Sequence, residues 1–591
     1  MFKVIFETEG GEDVTVFAVG GENVLDLARS ANVPIDAPCS GNGTCGKCKV
    51  KVLEGDKEAD DGWQLACGSF ISSDAKFLVP DSASAYMSNI TTVVMKQGDG
   101  SSASSANEAE EPSPCLFTEP SPRLSFGLAI DIGTTTVSVL LVDMTTGDIL
   151  AKATTGNGQI RYGADVINRI IEQQKPGGIK KLQDAIITDT LIPLIDNICD
   201  ATGVNREKIT RLTVAANTTM NHLLLGVDAN SIRIEPYEPT FLEFEVLDPA
   251  SIGISLAPGA EMLIAPNVGS YVGGDITAGV LGTGAATSWQ MWPNHGDVQL
   301  TDTVTYDGAT YENIETPDKM TLLIDLGTNG EIVLSNREFM MSCACSAGPA
   351  FEGGDISCGM RATDGAVEAC RINKETMEPE LTVIGDGKPV GLCGSGLIDA
   401  VAELFRAGII NGKGKFNYKT GDGSLSYCPN KRIRHDEYGL GSYILAFSSE
   451  SATGRDITLT EVDIDNFIRA KGAIFSGIIS LLSPLGLTPV DIDDVFIAGG
   501  IGSGIDIKSA VCIGMLPDLP EEKFRYLGNT ALDGAYAMLL PQHSEQSLEI
   551  VNDIARNMTY IDLSTQPGYM DEFIAACFLP HTDETLFTSY K

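Results

Sequence analysis

Cys39, Cys45, Cys48 and Cys67 are the residues of this sequence best placed to hold a metal cluster. The first three stand in Pro38-Cys-Ser-Gly-Asn-Gly-Thr-Cys-Gly-Lys-Cys, with gaps of five and two residues, and the fourth follows in Gln64-Leu-Ala-Cys-Gly. Four thiolates neutralise two irons, and the glycines let a tight loop turn its amide groups toward sulfur, so the set suits a [2Fe–2S] cluster. Structural zinc is the alternative. Zinc modules usually pair their ligands as two Cys-x-x-Cys units, and among these four only Cys45 and Cys48 form one.

A second chemistry lies further along. An apolar run ends in Asp131, turns through Gly133, Thr134, Thr135 and Thr136, and returns as a second apolar run. The device recurs with Asp325, Gly327, Thr328, Asn329 and Gly330, which signals an internal duplication. Taken singly, each is an ordinary tight turn. Facing one another, two such turns can clamp a nucleotide's phosphates through backbone N–H groups and Thr hydroxyls, with Asp131 and Asp325 holding Mg²⁺ through water. The buried strand Val495-Phe-Ile-Ala runs into Gly499, Gly500 and Gly502, where a base or ribose can lie against backbone. Asp275, in Gly273-Gly-Asp-Ile-Thr, is either an acid that orients water or metal or a helix-capping carboxylate. Lys471 falls on the apolar side of a long helix, where it either reaches a phosphate or snorkels outward.

The elements that position these residues divide the chain. Residues 2–7 and 14–19 alternate like a hairpin, and residues 23–31 read as a short helix carrying Val24, Leu27 and Ala28 inward. Hairpin, helix, cluster loop and strand in this order resemble a β-grasp ferredoxin over residues 1–80. Residues 81–125 read as a linker, and 97–112 hold no hydrophobic residue larger than Ala and so cannot pack a core. As a flexible coil those sixteen residues would span about 20–24 Å root-mean-square, a tether for the small domain. From Phe126 strands and helices alternate, giving two halves of one body, 126–289 and 319–591. The two turns and the glycine strand together resemble the actin-like ATPase superfamily of sugar kinases, chaperone ATPases and actin. The fold expected is multidomain α+β: ferredoxin, linker and a duplicated α/β body.

Composition narrows the partners. Eighty acidic against forty basic residues give a net charge of −40, which repels nucleic acid and anionic lipid. The N-terminus enters strand pattern without an apolar signal core, and no run of eighteen apolar residues occurs, so the expectation is a cytoplasmic protein without membrane contact. The remaining cysteines then read as buried thiols. Cys343 and Cys345 share one strand face, which is either packing or a second metal site.

The whole order of domains resembles the reductive activators of corrinoid-dependent enzymes. The likeness is carried by Leu128-Ala-Ile-Asp-Ile-Gly-Thr-Thr-Thr, Tyr162-Gly-Ala-Asp-Val-Ile-Asn-Arg, Ala216-Asn-Thr-Thr-Met-Asn-His, Tyr271-Val-Gly-Gly-Asp-Ile-Thr-Ala-Gly and Ala347-Gly-Pro-Ala-Phe-Glu-Gly. The resemblance implies a [2Fe–2S] cluster, ATP and Mg²⁺, and ATP-dependent transfer of one electron to cob(II)alamin, restoring cob(I)alamin. None of the five histidines has Asp two residues before it, so the corrinoid is expected on a partner protein of a methyltransferase system. A ferredoxin, flavodoxin or reductase would donate the electron, and a homodimer is one assembly open to the chain. The glycine-rich segment 347–360, with Phe351 and Ser357, is either the corrinoid contact or a packed turn next to the nucleotide. Two other classes compete: an activator of a radical dehydratase or ring reductase, and a nucleotide-switched redox sensor.

Overall fold

Alternation along Phe2–Thr8 (β1) buries Val4 and Phe6 on one face, and the other strands of its sheet carry Ala18, Val50, Val52 and Phe77 to the same small core. This is the computed structural model of the chain, and it describes residues 1–8, 13–31, 33, 35, 48–55, 62–80, 92–95, 125–284, 319–385, 387–417, 432–436, 439–500, 504–540 and 544–589. β1 pairs antiparallel with β2 (Val14–Ala18) and parallel with β5 (Ala75–Val79). The sheet is completed by β3 (Lys49–Glu54) and β4 (Trp63–Leu65) in the order β2-β1-β5-β3-β4. The helix Val24–Ser30 lays Val24, Leu25, Leu27 and Ala28 on the core and is capped by the Asn23 side chain.

The body is built twice. In the first half β7 (Phe126–Ile132), β8 (Thr136–Asp143) and β9 (Ile149–Gly156) form an antiparallel meander. β10 (Ile209–Ala216) then returns parallel to β7, with β11 (Glu261–Ile264) outside it. In the second half β12 (Thr321–Leu326), β13 (Gly330–Ser335) and β14 (Met340–Cys345) repeat the meander. The strands β15–β17 (Ala366–Ile372, Pro379–Val383, Gly391–Leu392) and β18–β20 (Ile433–His435, Gly441–Ala446, Ile457–Thr460) form two small sheets of their own. β21 (Asp494–Ala498) then lies parallel to β12 with β22 (Phe524–Gly528) outside it, and β23 (Thr559–Tyr560) closes the edge at β14. The orders β11-β10-β7-β8-β9 and β22-β21-β12-β13-β14 match strand for strand, so the duplication inferred from the two Asp-Gly-Thr turns extends through five strands of each sheet; the sixth strands differ, β6 (Thr92–Met95) running antiparallel to β9 and β23 parallel to β14.

The edge strand β6 is Thr92–Met95, which composition assigned to the linker. It pairs antiparallel with β9, Thr92 opposite Thr154 through Met95 opposite Ala151. Part of the expected linker is therefore sheet, while the low-complexity stretch 97–112 lies outside the described residues.

A shared apolar cluster joins the halves. Ala129, Leu140 and Val142 of the first sheet and Leu323, Val333 and Phe496 of the second pack against the helices Gly274–Gly282 and Thr530–Leu539. A methyl group on Gly534 would stand 1.9 Å from the carbonyl oxygen of Ala278, so the two helices touch backbone to backbone where only hydrogen fits. Among the described residues one helix, Glu461–Leu482, lies in a segment long and apolar enough to cross a membrane, and that segment is largely buried within the body. A Thr460–Asp463 capping box starts it.

Candidate functional site

Both turns sit where a central strand hands over to its antiparallel neighbour. β7 carries Asp131 at its end, and the Gly133 N–H donates to the Thr136 carbonyl at 2.9 Å to close the first turn. Asn157 braces that turn, its Nδ2 donating to the Gly133 carbonyl at 2.9 Å and its backbone N–H to the Thr135 carbonyl at 2.8 Å. Asn217 donates to Thr134 Oγ1 at 3.1 Å, and the buried Arg169 guanidinium donates to the Thr134 carbonyl and to Gly163 O at 2.8 Å. In the second turn the Gly327 N–H donates to Asn329 O at 3.0 Å, and Gly330 begins β13.

The two turns meet. Thr135 Oγ1 and Thr328 Oγ1, 193 residues apart in sequence, share a hydrogen bond of 2.8 Å, and both threonines are buried. Asp131, Asp275 and Asp325 lie partly exposed around this junction, with buried Glu331 opposite Asp325 across the β12–β13 ladder. Each carboxyl is shifted upward. Burial raises Asp131 to about 6, opposed by a hydrogen bond from Asn529 and by the Lys152 charge. Burial raises Asp325 to about 7 with help from Asp131, and Asp275 to about 7 with help from Asp325 and Asp131. Glu331 is pushed well up by burial, then by Asp275 and Asp325. Such a cluster favours protons or a cation. Among the described residues no three such groups converge closely enough to ligate a metal directly.

Other expected residues divide. Gly499 follows β21 at φ +92°, its N–H bonded to Gly528 O at 2.9 Å. A methyl group there would stand 2.3 Å from Leu326 O and 2.7 Å from Asp325 Oδ1, so its bareness serves packing behind Asp325. Among the described residues nothing stands within 4 Å of where a methyl group on Gly500 would lie, and Gly502 lies outside the described residues. Lys471 is drawn elsewhere: it is buried, and its amine donates to the carbonyls of Phe578 and of Pro580, the latter at 2.7 Å. Burial lowers it to about 7, and it ties down the C-terminal segment instead of reaching the turns. Phe351 is also drawn inward, 1% exposed and edge-on to Phe467 at 5.6 Å, because an aromatic ring is worth more in the core than over solvent. Ser357 remains exposed, its N–H and hydroxyl donating to Asp463 Oδ1 at 2.7 and 2.9 Å. Cys343 and Cys345 are buried, their thiols directed at the carbonyls of Gly477 and Gly330.

Sequence reasoning missed Asn529, Asn157, Asn217, Arg169 and Glu331. Asn529 donates from Nδ2 to Asp131 Oδ2 at 2.7 Å across 398 residues, and its one local signal is that of a helix cap. Arg169 and Asn217 lie inside two of the stretches that carry the family resemblance, where their types alone assign them no role.

In the small domain Cys48 is buried beside the start of β3, and Cys67 sits half-buried in the turn after β4. The Lys49–Leu65 pairing and the bond from Ala66 N–H to Cys48 O, 2.7 Å, put both cysteines at one end of the hairpin. Asn23 Nδ2 holds the Cys67 carbonyl at 2.9 Å. This convergence fits a cluster. Cys39 and Cys45 lie outside the described residues.

Three families match along the chain: residues 7–72 the 2Fe-2S iron-sulfur cluster binding domain, 126–288 the RACo middle region, and 319–591 the C-terminal domain of RACo, the ASKHA domain. The corrinoid activation enzyme RamQ of Eubacterium limosum is 32% identical over 452 residues, covering 76% of this chain and 69% of that protein. A Methanosarcina barkeri reductase, whose name gives its target as a Co(II) methylated amine-specific corrinoid protein, is 22% identical over 73% of each chain. A solved reductive activator for corrinoid, iron-sulfur protein superposes over 100% of both chains with TM-score 0.67 and 35% identity.

Proposed function

The chain belongs to the reductive activators of corrinoid proteins, and we propose that it uses Mg-ATP to return a stalled cob(II)alamin on a partner protein to cob(I)alamin by one-electron transfer. The observation that carries the nucleotide part is the Thr135–Thr328 contact, which sets two phosphate-type turns from duplicated sheets face to face with Asp131 and Asp325 at their roots. A [2Fe–2S] cluster on Cys39, Cys45, Cys48 and Cys67 would supply the one-electron chemistry.

The residues have separable tasks. Backbone N–H groups of the two turns and the hydroxyls of Thr134, Thr135, Thr136 and Thr328 bind phosphate oxygens. Asp131 and Asp325 hold Mg²⁺ through its water shell, which suits an ion that dehydrates reluctantly. Asp275, shifted to about 7, is suited to orient or deprotonate attacking water near neutral pH. Reduction of cob(II)alamin runs uphill from an ordinary donor by about 2.3 kcal/mol per electron for each 100 mV, the gap that nucleotide-driven rearrangement of the partner complex offsets. Ser357, exposed beside the first turn of the Glu461–Leu482 helix, is the residue proposed to face the corrinoid partner. That partner is one of a methyltransferase system; a ferredoxin, flavodoxin or reductase donates the electron; the setting is the cytoplasm; and a homodimer is compatible with the chain.

Asp131→Asn tests the nucleotide reading. It leaves the visible spectrum of the cluster unchanged while Mg-ATP turnover and cobalt reduction fall together. Wild-type turnover in that variant contradicts the reading.

A further inference from the structure

We propose that Asn529 is a positioning residue for Asp131, set at the joint between the two halves so that the orientation of the carboxylate follows their relative disposition. The inference rests on the reading of the paired turns as the nucleotide site.

The argument begins with connectivity. Gly528 ends β22 in the second sheet, and its carbonyl accepts from Gly499 N–H at 2.9 Å, directly behind Asp325. The helix Thr530–Leu539 begins two residues later but docks on the first half. Its Ala535 carbonyl accepts from Thr213 Oγ1 of β10 at 2.6 Å, and Tyr536 donates to Gly147 O at 2.6 Å. Asn529 is therefore the single residue between a strand of one half and a helix seated on the other. Its amide is split between two tasks: Oδ1 accepts from Leu532 N–H at 2.8 Å, capping the helix, and Nδ2 donates to Asp131 Oδ2 at 2.7 Å.

A hydrogen bond to a carboxylate is directional and stronger than one between neutral groups, so it fixes which way Asp131 presents its other oxygen. Opening the halves moves Gly528 with the second sheet and pulls on this bond. Lys152 of β9 opposes the upward shift of Asp131, and Asp131 in turn raises Asp275 of the Gly274–Gly282 helix and Asp325 of β12, but the bond that fixes the orientation of Asp131 is the one from Asn529 Nδ2.

The test separates capping from positioning. Asn529→Ser and Asn529→Asp both keep a good helix cap, because Ser and Asp cap about as well as Asn. Ser is too short to reach Asp131, and Asp offers no amide donor. Both variants of the full chain are expected to keep the cluster spectrum and to stay folded well above the assay temperature, and because only Asn529→Asp adds a carboxyl beside Asp131, a loss common to both reports the missing donor. Their kcat for Mg-ATP falls about 10- to 100-fold while KM changes less than threefold, the range expected for losing a hydrogen bond to a charged group. Asp131→Asn is measured beside them. If it is inactive and both Asn529 variants keep kcat within twofold of wild type, the inference is wrong and the site reading stands. If Asp131→Asn itself turns over at the wild-type rate, the site reading fails and takes this inference with it. A loss of kcat that only tracks a lowered melting temperature overturns the positioning role.

Discussion

Adjacent glycines after β21 offer a sharp test, because Gly499→Ala and Gly500→Ala are the same chemical change in opposite surroundings. Gly499 has φ +92°, a region that costs an L-residue about 1–2 kcal/mol. Its new methyl group would stand 2.3 Å from Leu326 O and 2.7 Å from Asp325 Oδ1, so backbone or carboxylate must shift, at a further cost of about 1–3 kcal/mol. The sum is about 2–5 kcal/mol, and displacing Asp325 by about 1 Å is expected to slow turnover on the order of 100-fold. Among the described residues nothing stands within 4 Å of where a methyl group on Gly500 would lie, so its alanine variant is expected within about 0.5 kcal/mol of wild type. Thermal unfolding followed by circular dichroism and Mg-ATP turnover, both on the full chain, read the two effects. Equal stability and turnover in the two variants would refute the packing account of Gly499.

Three further predictions follow from the same geometry. Lys471→Met leaves the carbonyls of Phe578 and Pro580 without their buried donor, so a loss of about 2–4 kcal/mol with unchanged KM for Mg-ATP is expected; a raised KM would return Lys471 to the nucleotide. Asp131, Asp275 and Asp325 bind protons more tightly folded than unfolded, so they stabilise the nucleotide-free protein fully below about pH 4, and that contribution is lost as pH rises through about 6 to 7. The melting temperature of Asp275→Asn should therefore fall less than that of wild type between pH 5 and 8, and parallel curves would contradict the shift. Deleting Ser101 to Asn107 shortens the chain only between β6 and β7, so with β6 docked on β9 cobalt reduction is expected at the wild-type rate; slower reduction would show that β6 releases during turnover.

Much of the molecule was legible because its signals are local. The cysteine spacing, the alternation of β1 and β2 and the two Asp-Gly-Thr turns each declare themselves within a dozen residues. The match of the two large sheets over five strands follows from the duplicated turns. What stayed hidden depends on distant partners. Asn529 drew no notice because its bond to Asp131 spans 398 residues, and Lys471 was assigned to a phosphate or to solvent because its carbonyl partners lie more than a hundred residues downstream. The β-branched run Thr92-Val-Val-Met95 carries strand propensity, but it is only four residues long and reads as linker because the partner it pairs with, β9, lies more than fifty residues downstream.

The central claim joins electron and nucleotide, and one spectrum tests it. Pre-reduced protein, Mg-ATP and a cob(II)alamin-loaded corrinoid methyltransferase protein are mixed without oxygen and followed in the visible range. The account predicts ATP-dependent loss of the cob(II)alamin band and growth of the cob(I)alamin band, absent in Cys67→Ser and in Asp131→Asn. Cobalt reduction that proceeds equally without ATP, or in either variant, would contradict it.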